Sequence, residues 1–137
     1  MPTRPLRTTL IGLNAFLALT AFAGGIGLAF GWNAPPLEML AHSPFHSFLA
    51  PSLALFVAVG GSALAAAVLA WRRDGRTVAA AAFAAAMVLC FEGVEVWVIG
   101  SPAGVARNLQ LFYVALGLGI AVAAMALRRA QRPDADR

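Results

Sequence analysis

Charge is scarce in this chain. Only 12% of its 137 residues are charged, lysine is absent, and cysteine and tyrosine occur once each. Ordinary soluble domains are about 25% charged. The shortage excludes a soluble globular enzyme and a disordered tail. A single cysteine, Cys90, makes no internal disulfide and offers no CxxC or zinc spacing. There is no HExxH, no phosphate-binding glycine loop and no GxSxG. Gly24-Gly25-Ile26-Gly27 is part of an apolar run with no strand before it, so it is not a nucleotide loop. What the chain has in abundance is apolar surface: 61% of it is hydrophobic and the mean hydropathy is +0.79. The net charge is +4 and the pI about 11.1. The arginines stand in short clusters between long apolar runs, which is a membrane pattern and excludes nucleic acid as the partner.

A spanning helix needs about 20 mostly apolar residues. Four stretches qualify: 10–30, 48–71, 77–99 and 109–127. Membrane strands alternate apolar and polar residues, whereas Leu53 to Leu69 is apolar or small at every position. The expected fold is all-α: one membrane domain over 1–137, with four transmembrane helices in an antiparallel bundle.

All ten basic residues are arginine. Arg4 and Arg7 precede the first span, Arg72, Arg73 and Arg76 fill the turn after the second, and Arg128, Arg129, Arg132 and Arg137 follow the fourth. Only Arg107 falls on the other side. The positive-inside bias makes the richer side cytoplasmic. Both termini are then inside, which an even number of crossings also requires. The start carries a competing reading as a cleaved signal peptide, with Ala21-Phe22-Ala23 as a small-x-small site. The apolar run continues through Ile26, Leu28 and Phe30, so its length favours a retained span.

The links 72–76 and 100–108 are short and force antiparallel neighbours. The outer loop 31–47 is longer. It begins Trp32-Asn33-Ala34-Pro35-Pro36, which predicts a short surface helix over Leu37 to Ala41, and Ser43-Pro44 reads as a second helix start. The tail 130–137 is polar and expected to fray. Ala54, Ala58, Ser62, Ala66 and Ala70 recur at every fourth position of the second span. Such a small-residue stripe predicts close packing against a neighbouring helix, or alternatively a homo-oligomer seam.

Ionisable groups inside a span are costly and ask for a reason. Only Glu92 and Glu95 qualify. At 1.5 Å per residue they lie roughly 22 and 27 Å above the inner edge of a core about 30 Å thick. The same count on the fourth span puts Tyr113 level with Glu92 and Gln110 level with Glu95, with Arg107 one turn higher and long enough to snorkel toward either glutamate. A polar cluster of Glu92, Glu95, Arg107, Gln110 and Tyr113 is therefore expected near the outer leaflet. Three roles fit it: a pin between two helices, a ligand or proton site, or glutamates that reach water alone. Glu38, His42 and His46 are spaced by four and four, a weak metal-ligand pattern that Pro44 interrupts, so no metal is favoured. Asn14, deep in the first span, is expected to hydrogen-bond a neighbouring helix. Pro51 falls at the outer edge of the second, where it costs little.

Ser43-Pro44-Phe45-His46-Ser47-Phe48, followed by Pro51 and Val59-Gly60-Gly61, resembles a group of small four-span bacterial membrane proteins of unassigned function. Phe91-Glu92 and the Gln110–Tyr113 pair fit the same group, which has glycine where this chain has Ser52. The resemblance implies an inner-membrane protein and supplies no activity or cofactor. The leading expectation is a non-enzymatic protein in the bilayer, either an accessory subunit of a membrane-protein partner or a binder of a lipophilic small molecule at the outer leaflet. The alternatives are an intramembrane enzyme that uses a glutamate as acid or base, and a proton- or cation-coupled transporter or oligomeric channel.

Overall fold

The computed structural model describes residues 2–32 and 34–132, and among them it is helical without a strand. Four helices are long and apolar enough to cross a membrane: α1 (Thr3–Ala29), α2 (Leu49–Trp71), α3 (Thr77–Ile99) and α4 (Val105–Gln131). Two are longer than the apolar runs predict. α1 starts seven residues before Leu10, and α4 extends beyond both ends of 109–127, because backbone hydrogen bonding continues through the polar flanks where hydropathy stops. Of the tail, Ala130 and Gln131 continue α4, Arg132 follows it, and 133–137, with Arg137, lie outside the described residues, as does Asn33.

Leu37–Leu40 forms a single 3₁₀ turn, so the predicted surface helix is present in its shortest form. The second start signal is different. Ser43 accepts a hydrogen bond from the Phe45 N–H at 3.2 Å in a local turn, and α2 begins only at Leu49. Pro51 lies in the first turn of α2, where no N–H is needed.

α2 is not uniform. Leu49–Leu53 and Ser62–Trp71 are α-helical, but Ala54–Gly61 is π-helical. A π turn bonds i to i+5 and carries more residues than the 3.6 of an α turn, so it rotates every side chain before it relative to those after it. This splits the predicted stripe. Ala66 and Ala70 are buried, Ser62 is half-buried, and Ala54 and Ala58 are exposed. The buried face runs instead through Val59, Gly60, Ala63, Ala66, Ala67 and Ala70.

Helices in lipid associate through close packing, since hydrocarbon outside is as apolar as the core inside. This core is built accordingly. Around Leu10, Leu17, Val88, Ile120 and Leu127, most buried apolar residues are alanines, among them Ala63, Ala66, Ala81, Ala84 and Ala124. Glycines mark the closest approaches. A methyl group on Gly25 of α1 would lie 2.8 Å from the Phe56 Cβ and 3.0 Å from the Ser52 carbonyl oxygen. One on Gly60 would lie 2.7 Å from the Phe22 ring, and one on Gly117 2.8 Å from Val88. Phe22 and Phe56 pack at 4.7 Å between ring centroids.

Two turns are locked by backbone bonds. Gly31, at φ +75°, closes α1: the Trp32 N–H reaches the Gly27 carbonyl at 2.7 Å and the Gly31 N–H reaches Leu28 at 3.4 Å. Arg73, at φ +56°, closes α2 in the same way, with the Asp74 N–H donating to Leu69 at 2.9 Å. A non-glycine residue there costs about 1–2 kcal/mol. Asp74 then accepts hydrogen bonds from the Arg76 side chain and backbone, which hold its carboxyl at about 2, below the usual range. Arg7 of α1 donates to the Thr77 hydroxyl at 3.4 Å and ties the start of α1 to the start of α3.

Ala63→Leu and Ala66→Leu should each lower the melting temperature, because both positions are fully buried and overpacking costs about 1–3 kcal/mol. Ala58→Leu and Ala82→Leu, at exposed positions, should leave it unchanged. Thermal melts of the four variants in detergent check this. Equal losses at all four would contradict the register imposed by the π turns.

Candidate functional site

The glutamates of α3 sit where the four helices leave space. Glu92 is buried and Glu95 half-buried. On α4, Gln110 is buried and Tyr113 half-buried. The Gln110 amide donates to Glu95 Oε1 at 3.1 Å and to the Gly100 carbonyl at 3.1 Å, so both of its N–H bonds are used. The level match of Gln110 with Glu95 is thus a direct hydrogen bond. Glu92 and Tyr113 meet across a small chamber of about 210 Å³ in the middle of the bundle, where Glu95 and Gln110 also form part of the wall.

Arg107 does not join them. It is exposed and donates Nε and Nη2 to the Ser101 carbonyl at 3.1 and 2.6 Å. The loop explains this: Gly100 and Gly104 adopt positive φ and fold the chain back over the first turn of α4, so a carbonyl lies closer to the guanidinium than either carboxylate. The Arg107–glutamate pair anticipated from the sequence is replaced by a cap on the α3–α4 loop. Asn14 also differs from expectation. Its amide donates to Leu10 in its own helix at 2.9 Å, the usual outlet for asparagine inside a helix.

Three buried side-chain oxygens have no hydrogen-bond partner among the described residues: Glu92 Oε2, Gln110 Oε1 and Asn14 Oδ1. Buried polar atoms are nearly always paired, so each asks for an explanation. Two of the three belong to residues of the small chamber.

Beside that chamber lies a much larger space that sequence reasoning missed. It is an apolar cleft of about 760 Å³ between α2 and α3 with α1 at its back, and Trp32, Leu40 and Phe45 of the loop also belong to its wall. Ala54 and Ala58, turned outward by the π segment, form one side of it, and Met87, Cys90 and Val94 the other. Gly24, Leu55, Val59, Phe91 and Glu95 line both spaces. The only sequence signal for the cleft was the loop itself, whose apolar residues exceed what a connection requires. Glu38, His42 and His46 are all exposed, and among the described residues no three metal-ligating side chains come together.

A double-mutant cycle on Glu95 and Gln110 should give a coupling near the membrane average of about 0.6 kcal/mol. The Glu92–Arg107 cycle should be additive. Thermal stability of Glu95→Ala, Gln110→Ala, Glu92→Ala, Arg107→Ala and the two doubles measures both, and coupling confined to the Arg107 pair would reverse the assignment.

No protein-family model, curated protein or solved structure matches this chain, so the chemistry of these residues alone bears on its function.

Proposed function

We propose that the chain is a small, non-enzymatic protein of the bacterial inner membrane that holds a lipophilic small molecule in the outer leaflet. Its four spans run antiparallel with both termini in the cytoplasm, in line with the distribution of arginine and the resemblance to small four-span membrane proteins. The observation that carries the reading is the cleft: about 760 Å³, apolar, with the Glu95 carboxylate in its wall. Small-molecule sites are concave, about 300–1,000 Å³, and mostly apolar with a few placed polar groups.

A proton-carrying or acid–base role draws support from the unpaired Glu92 Oε2. Against a through-path stands the half of the bundle nearest Arg7 and Thr77, where Leu10, Ala66, Ala81, Ala124 and Leu127 are essentially fully buried and only Asn14 and Thr77 among the described residues are buried polar side chains. A channel through one chain needs polar groups along its depth. Binding in one leaflet needs none.

Two measurements test the reading. Ala54→Phe/Ala58→Phe should obstruct the cleft without loss of stability, because both alanines are exposed and line it. Native mass spectrometry of protein extracted in mild detergent should show an apolar adduct on the wild type and none on the double variant. Identical adducts on both would remove the cleft as the binding site. Reporter fusions after Arg76 and Arg129 should report cytoplasm, and one after Pro35 the outside; a periplasmic signal after Arg76 would overturn the orientation.

A further inference from the structure

The two spaces differ in chemistry. The large cleft is apolar, whereas the small chamber behind it carries Thr20, Glu92, Glu95, Gln110 and Tyr113 in its wall. Its donors and acceptors do not balance. The Thr20 hydroxyl donates to backbone carbonyls of α1, at 3.0 Å to Phe16 and 3.2 Å to Leu17. Both Gln110 N–H bonds are used. Glu92 Oε2 and Gln110 Oε1, on side chains 5% and 4% exposed, have no partner. Tyr113 adds the one hydroxyl in this wall that makes no hydrogen bond among the described residues. The chamber is thus short of donors. Leaving a buried acceptor unpaired costs about 1–3 kcal/mol, and a group that donates to it removes that cost.

We propose that the small chamber is a headgroup subsite for a hydrogen-bond-donating head, a hydroxyl or primary amine, carried on an apolar tail that occupies the large cleft. This rests on the cleft being a lipophile site, and it adds which head the site accepts. Glu95 belongs to both walls and is the first polar group that an incoming head meets. The head passes between Leu55 and Phe91, which also line both spaces, and donates to the two oxygens behind them once the side chains around these turn, since both are closed off from a water-sized group in the empty chamber. A volume of about 210 Å³ holds a small head. A carboxylate head brings no donor.

Binding of a matched 12-carbon series tests this. Dodecanol, dodecylamine, dodecyl methyl ether and dodecanoate are titrated onto the whole protein and read by native mass spectrometry. The alcohol and the amine are expected to bind at least tenfold more tightly than the ether and the carboxylate. Glu92→Leu should erase that preference while leaving ether binding unchanged, with a melting temperature no lower than wild type, since it removes an unpaired buried oxygen. If Glu92→Leu does not fold, Glu92→Met, a flexible chain of similar length without the carboxyl oxygens, is read in the same way. Equal binding of alcohol and ether to the wild type would overturn the headgroup subsite and leave the cleft standing. So would a preference that persists in the Glu92 variants. If all four compounds bind no better to the wild type than to Ala54→Phe/Ala58→Phe, the cleft itself is not a lipophile site and both readings fall.

Discussion

Backbone contact between α1 and the wide turns of α2 is the constraint on which the rest of this structure depends. Gly25 lets the Ser52–Phe56 backbone approach to a distance that a methyl group would forbid, and Gly60 receives the Phe22 ring in the same interface. In a bilayer no hydrophobic drive assembles helices, so contacts of this kind carry the packing. With α2 held against α1 in this register, its opposite side at Ala54 and Ala58 is left facing away, and the space between it and α3 remains open. Cleft, chamber and polar cluster all occupy the half of the bundle that this interface shapes.

The polar cluster depends on a second, smaller arrangement. α3 and α4 are joined by a loop whose glycines at 100 and 104 take positive φ, and Arg107 caps that loop through the Ser101 carbonyl. The short connection keeps Gln110 within reach of both Glu95 and the Gly100 carbonyl. One amide therefore joins the loop and the two helices, and its remaining oxygen is directed into buried space with nothing to accept from.

Much of this was legible in the residues. Hydropathy alone located four helices, because a spanning helix must exclude polar side chains over its full depth. Counting 1.5 Å per residue brought Gln110 level with Glu95, since both helices are regular there and the loop between them is short. The count failed where the helix was not α. Nothing in Ala54-Leu55-Phe56-Val57-Ala58-Val59-Gly60-Gly61 distinguishes a π turn from an α turn, as its residues fit both, so the Ala54 and Ala58 end of the small-residue stripe was projected onto the wrong face. Arg107 and Asn14 show a different limit. Each found a backbone carbonyl nearby, and a reading that pairs side chains only with other side chains overlooks the most abundant acceptor in the molecule.

The alanine-filled end of the bundle has a mechanical consequence. Alanine has no side-chain torsion to turn, so a core of Ala63, Ala66, Ala81, Ala84 and Ala124 cannot loosen through a change of rotamer. It yields only if whole helices separate. The opposite end is walled by Leu55, Phe91 and Met87, which each have more than one torsion, and by a backbone segment with untypical bonding. The molecule is thus stiff at one end and adaptable at the other, like a clamp whose fulcrum is built of methyl groups and whose jaws are built of longer side chains.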